Sequence, residues 1–355
     1  MSGDTEVPVA RVDLAPGYSI ARVINGGWQL TPDHGDGTVE PGAVIDGFIR
    51  LAEAGFTTFD CADIYTGVEE LLGGFLAAWR AGGRDPDRIQ IHTKYVPDMD
   101  ALASLRSEDV DRAIDRSLSR LGVERLDLVQ FHWWDYSVPG FVDTASRLAE
   151  LQSAGKIRCL GLTNVAASEL EELERAGIWI EANQVQYSTM DRRPERGLTR
   201  LCSRTGTQLL CYGALAGGFL SDRYLGELPP PEPQVNRSLT KYRLIVDEFG
   251  GWPALQGLLV VLDRVARKHG VSVANVAARW VLERTRVAAV ILGASRVDRI
   301  EENKRLFDFA LEGDDLVEID RFCSLHTGPR GSIYELERDR SGPHWAILRT
   351  GLHAD

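Results

Sequence analysis

The sequence predicts an α/β protein built as a closed (β/α)8 TIM barrel, and three observations carry that reading. Eight short apolar, β-rich runs recur along the chain, with amphipathic helical patterns between them. No G-x-G-x-x-G follows the first run of the series, as a doubly wound sheet binding a dinucleotide would have it. The length of 355 residues accommodates a barrel of about 250 together with a hairpin, a long insertion and a tail. A single domain over 1–355 is expected, with its barrel core at about 20–305.

The elements follow in order. "VARVDLAPGYSIARV" (9–23) reads as two short strands around Pro16–Gly17, a hairpin ahead of the barrel. The barrel strands are "ARVING" (21–26), "TTFD" (57–60), "IQIHTK" (89–94), "LDLVQFH" (126–132), "IRCLGLT" (157–163), "IWIEANQ" (178–184), "QLLCY" (208–212) and "AAVILGA" (288–294). They are apolar on both faces, as strands of a covered parallel sheet are. The helix "PGAVIDGFIRLAEAG" (41–55) opens with Pro41 and closes at Gly55. In the helix that follows the second strand, Val68, Leu71, Leu72, Phe75, Leu76 and Trp79 share one face. "SEDVDRAIDRSLSRLG" (107–122) has Ser107 as N-cap and acids in its first turn. It turns Val110, Ile114, Leu118 and Leu121 inward and ends at Gly122. The stretch 218–252 after the seventh strand carries a run of prolines and reads as a long loop over the barrel mouth. Residues 328–355 form a C-terminal extension.

Composition narrows the function classes. A net charge of −12 and a pI near 5.2 argue against nucleic acid or an anionic membrane as a main partner. The start "MSGDTEVPVA" has neither a basic segment nor an apolar one, and no apolar stretch reaches the roughly 18 residues of a membrane span. Cysteines at 61, 159, 202, 211 and 323 are odd in number and scattered without a C-x-x-C, which suits a reducing compartment. A cytoplasmic protein is expected.

Polar or small residues end the strands on one side: Asp60, Lys94, His132, Thr163–Asn164, Asn183–Gln184, Tyr212–Gly213 and Gly293–Ala294. Strand ends on that face of a barrel are neighbours in space, and barrel active sites lie there. Singly, each has a bland explanation: a turn-forming Asp, a solvated Lys, a satisfied core His, and in Tyr65 an ordinary loop aromatic. Four titratable groups converging from consecutive strands point to chemistry. A free tyrosine has a pKa of ~10 and is a poor acid at neutral pH. A lysine ammonium about 4 Å away, at an effective dielectric near 20, favours the tyrosinate by roughly 4 kcal/mol, or about three pKa units. Lys94 is therefore expected to bring Tyr65 toward physiological pH, with Asp60 behind Lys94 aiming it. A neutral His132 is expected to hydrogen-bond and orient a carbonyl oxygen. The set suits proton donation to an oxygen that gains negative charge on receiving hydride, and since no side chain donates hydride, a cofactor is required.

These residues resemble, in order over roughly 20–305, the aldo-keto reductase superfamily, NADPH-dependent carbonyl reductases on a (β/α)8 barrel. The resemblance of "FDCADIYTGVEELLG" (59–73) implies Asp60 and Tyr65 as tetrad members, with Tyr65 the acid. "IHTK" implies Lys94, and "LDLVQFHWWD" implies His132. "GLTN" resembles the segment holding the nicotinamide carboxamide, which implies Thr163 and Asn164, completed by Gln184 of "ANQVQYS". "CYGALAGGFL" implies Tyr212 stacking on the nicotinamide, with Gly213 and Leu215 beside it; Gly27 and Trp28 join the cofactor set. "ILGASRVDRIEEN" resembles the adenosine-phosphate segment and implies Gly293, Ser295, Arg299, Glu302 and Asn303. A lysine common early in that segment is absent, so Arg299, with Arg296, is left to recognise a 2′-phosphate, assisted by the dipole of a helix from about Val297. NADPH (NADP+) is the expected cofactor, ahead of NADH.

Trp28, Trp133 and Trp134 are expected to line the mouth and to favour a hydrophobic small-molecule carbonyl, with Trp134 equally placed to pack under a loop. Asp135 is read as the cap of the next helix, ahead of a contact with a cationic substrate. Tyr334 and Trp345 of the tail either fold over the site or form a contact in a homo-oligomer. The expected activity is NADPH-dependent reduction of an aldehyde or ketone, with no metal. Two alternatives stand beside it: an imine or ring-opened sugar as substrate, and a redox-sensing regulatory subunit that binds NADPH with little turnover.

Overall fold

Gly17, at φ +68°, makes the turn that folds β1 (Arg11–Ala15) antiparallel onto β2 (Tyr18–Ala21). The computed structural model describes residues 8–31, 40–231, 234, 237–293 and 297–348. Beyond the hairpin come β3 (Val23–Gly26), β4 (Thr58–Asp60), β5 (Gln90–Tyr95), β6 (Leu126–Phe131), β7 (Ile157–Thr163), β8 (Ala182–Gln186), β9 (Gln208–Tyr212) and β10 (Val287–Gly293). All eight pair in parallel and close as β10-β3-β4-β5-β6-β7-β8-β9, the predicted barrel.

The hairpin plugs the N-terminal end of the barrel. Leu14, Tyr18 and Ile20 pack with Ile24, Leu128, Ala182 and Leu210 from the barrel strands. Each leucine or isoleucine among them, fully buried, contributes roughly 1.5–3 kcal/mol. The Tyr18 hydroxyl meets His92 Nε2 at 3.1 Å, and the Arg158 guanidinium lies 4.6 Å from the Tyr18 ring centre. With this end sealed, a site has only the C-terminal mouth to occupy.

Around the barrel lie α1 (Pro41–Glu53), α2 (Val68–Ala81), α3 (Ser107–Leu121), α4 (Phe141–Ser153), α5 (Ala167–Arg175), α6 (Leu198–Thr205), α7 (Arg237–Phe249), α8 (Gly251–His269), α9 (Val273–Leu282), α10 (Ile300–Lys304) and α11 (Gly313–Cys323). The predicted face of α2 is turned inward, except that Leu71 is only half-buried. Gly122, at φ +64°, ends α3 as expected. Ser107 is not the N-cap: it is the first helical residue, and the cap is Arg106, whose backbone N–H donates to Asp109 Oδ2 at 2.9 Å.

Two other expectations change. β8 begins at Ala182 rather than 178, because Trp179 stands out in solvent at 62% exposure and the segment before it lacks two-sided burial. The stretch 218–252 is not all loop, since it holds α7. Tyr242, Ile245, Val246 and Phe249 are buried at spacings of three, one and three residues, a helical face pressed onto the barrel. No single helix among the described residues is long and apolar enough to cross a membrane; only α7 and α8, bent 89° apart, pass such a test as a pair.

The tail adds α12 (Glu335–Arg338) and α13 (Pro343–Ala346). It is fastened by a buried ionic cluster. Arg193 donates to Asp191 Oδ2 at 2.7 Å and to Glu337 Oε2 at 3.0 Å, and all three residues are almost fully buried. Burial pushes the Glu337 carboxyl up, but the charge and hydrogen bonds of Arg193, with Lys241 beyond, outweigh it and hold it well below the usual carboxylate range. A depressed carboxylate stabilises above its unfolded pKa and loses that contribution as pH falls through its folded value. Docking of the tail is therefore expected to weaken progressively below about pH 4.3, the ordinary glutamate value. Amide hydrogen exchange over 333–346 should accelerate there before the barrel strands open. Glu337→Gln should abolish this pH dependence; an acid-insensitive tail in the unaltered protein would show that Glu337 does not fasten it.

Candidate active site

The C-terminal strand ends meet in one hydrogen-bonded floor. Side chains alternate along a strand, so His92 and Lys94 of β5 share the inward face, and Leu128 and Gln130 of β6 share theirs. Lys94 Nζ donates to Asp60 Oδ2 at 2.6 Å and to the Cys61 carbonyl at 2.8 Å. The other oxygen, Asp60 Oδ1, accepts from Gln130 Nε2 at 2.9 Å and from Gln184 Nε2 at 2.7 Å. Gln184 Nε2 also donates to Gln130 Oε1 at 2.8 Å. A carboxylate only accepts, so these contacts fix both amide orientations. Gly161 makes the room, since a Cβ there would meet the Leu128 side chain at 3.1 Å and Gln130 Cγ at 3.4 Å.

The turn after β4 brings Tyr65 back over this floor. Asp63 anchors the turn by accepting the Val96 backbone N–H at 3.2 Å, and Gly67, at φ +77°, leads into α2. Lys94 Nζ ends 4.9 Å from the Tyr65 ring centre. Trp28 packs edge-on against the same ring at 5.0 Å.

Electrostatics here depart from the sequence-based expectation. Burial pushes Lys94 down, but Asp60 and Tyr65 outweigh it, so the ammonium is held above its ordinary value and stays charged. The Tyr65 phenol is not brought toward neutrality: its pKa is raised. Burial raises it most, Lys94 pulls it down as a charge and hydrogen-bond donor, and Asp60 pushes it back up. Much of the Lys94 field is spent on the carboxylate 2.6 Å away.

His132 follows β6 and its Nδ1 lies 3.0 Å from the Thr163 carbonyl oxygen. Burial first, and the charge of Arg338 second, depress it to about 3, so it is neutral. The carbonyl can only accept, which puts the proton on Nδ1 and leaves Nε2 a bare lone pair, buried and without a hydrogen-bond partner among the described residues. In this tautomer Nε2 has a lone pair and no proton to give to a carbonyl oxygen, unlike the orienting hydrogen bond that was expected of it. Trp134 and Tyr334 pack edge-on against it at 4.6 and 5.5 Å.

The tryptophans divide. Trp28 and Trp134 flank Tyr65 and His132, with Trp134 Nε1 tied to the Pro97 carbonyl at 2.8 Å. Trp133 does not line the mouth. It is fully buried beside Phe131 and Phe141, with Nε1 donating to the Asp135 carbonyl at 3.0 Å, because strand alternation turns the residue after His132 outward into the helix layer. Asp135 does not cap the next helix, whose N-cap is Gly140; it lies five residues earlier and closes a turn by accepting the Ser137 N–H at 3.0 Å.

The residues assigned to a cofactor are placed as follows. Asn164 holds a left-handed backbone (φ +59°) and its Oδ1 accepts the Tyr212 hydroxyl at 2.8 Å. Thr163 Oγ1 donates to the Gln184 backbone carbonyl at 3.4 Å. The ring of Tyr212 carries the Lys241 ammonium of α7 at 4.7 Å. Gly213 and Gly217 have positive φ, and Tyr242 fills the space a Cβ would take at either; half-buried Leu215 lies between them. The Gly27 N–H donates to the Asp60 carbonyl at 2.8 Å, and a Cβ on it would strike Val68 at 2.9 Å. Gly293 lies against Gln29. Arg299 is exposed, Asn303 is half-buried on α10, and Glu302 Oε1 accepts from Ser272 Oγ at 3.1 Å at the start of α9. A 3-10 turn over Val297–Arg299 starts the helix where expected and runs into α10, which has five residues. Ser295 and Arg296 lie outside the described residues.

Two site residues escaped the sequence reading. Gln130 had a signal, standing two positions before His132 on the same inward face. Arg338 had none: its partners lie 174 to 205 positions away.

A family model described as "Aldo/keto reductase family" matches residues 22–323. The chain is 30% identical over 259 residues to "Flagellar radial spoke protein 5" of Chlamydomonas reinhardtii, covering 62% of this chain and 49% of that protein, so it spans about half of that relative. It is 27% identical over 285 residues to "Aldo-keto reductase yakc" of Schizosaccharomyces pombe, whose name specifies NADP(+), covering 77% of this chain and 80% of that one. Among solved structures, the glycerol dehydrogenase of Gluconobacter oxydans superposes with a TM-score of 0.74 at 23% identity over 94% of this chain and 98% of that one. At that identity the likeness speaks for the fold.

Proposed function

Because the chain belongs to the aldo/keto reductase family and is an NAD(P)H-dependent oxidoreductase, we propose that it reduces an aldehyde or ketone to the alcohol with NADPH, Tyr65 giving the proton. The observation that carries this is the buried Asp60–Lys94 pair at 2.6 Å with its ammonium turned to the Tyr65 ring.

The residues fit a nicotinamide. Its primary amide needs one donor and one acceptor. Asn164 Nδ2 donates to no described residue once Oδ1 has taken the Tyr212 hydroxyl, and Gln184 Oε1 receives no hydrogen bond from a described residue. Asn164 and Gln184 would hold the amide, Trp28 and Tyr212 would wall the ring, and exposed Arg299 is available to a 2′-phosphate. When bound, the cofactor supplies the hydride.

The chain's own groups do the rest. Lys94 carries a fixed positive charge beside the phenol, favouring passage of its proton to an oxygen gaining negative charge. Asp60, held by two amides, keeps the ammonium from swinging away. As the oxygen takes the phenol proton, the bare Nε2 of His132 accepts the hydrogen bond of the forming hydroxyl, which favours the late transition state as well as the alcohol. Trp28, Trp134 and Tyr334 surround the reacting end with rings, which suits a hydrophobic carbonyl. Oxidation of NADPH in the presence of aromatic aldehydes tests the proposal, with kcat/KM expected to favour NADPH over NADH by about tenfold, roughly 1.4 kcal/mol. No aldehyde-dependent oxidation of either nucleotide would refute it.

A further inference from the structure

Arg338 ends α12 of the tail and forms no ion pair among the described residues. Its guanidinium is spent on main-chain oxygens of the barrel instead. Nε donates to the Trp134 carbonyl at 3.1 Å, and Nη2 donates to those of Trp133 at 3.0 Å and Asn164 at 3.1 Å. Nη2 also reaches the Tyr136 hydroxyl at 3.3 Å, and the cation lies 4.5 Å from the Tyr136 ring centre and 5.2 Å from that of Tyr334. Within the tail, Nη1 contacts the Ile333 carbonyl at 3.4 Å.

The carbonyls concerned are telling. Two belong to the residues directly after His132, and the third to the residue directly after Thr163, whose own carbonyl holds His132 Nδ1. One cation thus grips both ends of the hydrogen bond that orients the imidazole. It also steadies Asn164 in its left-handed conformation. Without it three carbonyls lose a charged donor. Glu337, the neighbour of Arg338, locks the same helix down through Arg193.

We propose that Arg338 is a positioning residue: by joining the loops after β6 and β7 to the tail, its guanidinium sets the orientation of His132, so the catalytic end is complete only with the tail docked. The activity arm of the test rests on the reductase function proposed above; the exchange arm does not.

The test uses the full chain, unaltered and as Arg338→Met and Arg338→Lys. A misplacement of about 1 Å costs on the order of 100-fold, so kcat/KM for an aromatic aldehyde should fall by about that factor in Arg338→Met. Millimolar guanidinium chloride should restore part of it, while equal sodium chloride should not. Arg338→Lys keeps the charge without the planar fork and should fall between the two. Amide exchange should speed up over 132–136 and 163–165 in Arg338→Met, slow again with guanidinium, and stay unchanged in β4 and β5. Unchanged kcat/KM in both variants, or exchange in those two loops equal to that of the unaltered protein, overturns the inference. Should Arg338→Met fail to fold, Arg338→Lys decides alone: full activity with unaltered exchange overturns it. An unaltered protein that reduces no carbonyl refutes the proposed function, and the exchange arm then decides the role of Arg338.

Discussion

Replacing Tyr65 with phenylalanine is expected to slow carbonyl reduction by about 100- to 10,000-fold, the usual contribution of a positioned general acid, while NADPH binds as before. The substitution removes one oxygen and leaves the ring against Trp28 at 5.0 Å, so the surrounding wall persists. Asn164 and Gln184, proposed to hold the nicotinamide amide, are hydrogen-bonded to Tyr212, Asp60 and Gln130 rather than to the phenol and keep their geometry. Steady-state kinetics with an aromatic aldehyde, beside NADPH fluorescence titration, separate the two effects. A Phe variant with unaltered turnover would mean that the proton comes from elsewhere.

Lys94→Met is expected to be costly twice over. Lys94 and Asp60 are each about 5% exposed and joined at 2.6 Å. Removing the cation strands a buried carboxylate, which typically costs 3–5 kcal/mol; the amides of Gln130 and Gln184 still reach Asp60 Oδ1 and place this case at the low end. Reduction should be lost at the same time, because among the described residues only Lys94 brings a positive charge over the Tyr65 ring. Asp60→Asn in the same chain removes the stranded charge, so the double variant should regain most of the stability and none of the activity. Chemical denaturation and kinetics on the three proteins measure both. Recovery of activity in the double variant would show that the charge on Lys94 is dispensable.

Much of the barrel was legible because its strands are short apolar runs, and because each closes at the same end in a polar or small residue. The alternation of side chains would have carried the reading further. It places Gln130 inside with His132, and it places Trp133 outside, where it packs on Phe131 and Phe141. α7 was hidden by the prolines before it, although Tyr242, Ile245, Val246 and Phe249 recur at helical spacing. The direction of the Tyr65 shift was not readable. A neighbouring lysine is visible in a sequence, whereas the burial that outweighs it depends on Trp28 and the floor closing around the phenol. Arg338 was beyond reach for a related reason, since its partners are main-chain carbonyls that any residues at those positions would present.

We assign the acid of carbonyl reduction to the protonated Tyr65 phenol, with Lys94 beside it. The dependence of kcat/KM on pH at saturating NADPH decides between this assignment and its rivals. A phenol that must keep its proton, with its pKa raised by burial, predicts a reduction rate that is level through neutral pH and falls only in the alkaline range, with oxidation of the alcohol rising where reduction falls. A reduction rate that climbs with pH through neutrality would require a deprotonated group and would contradict it.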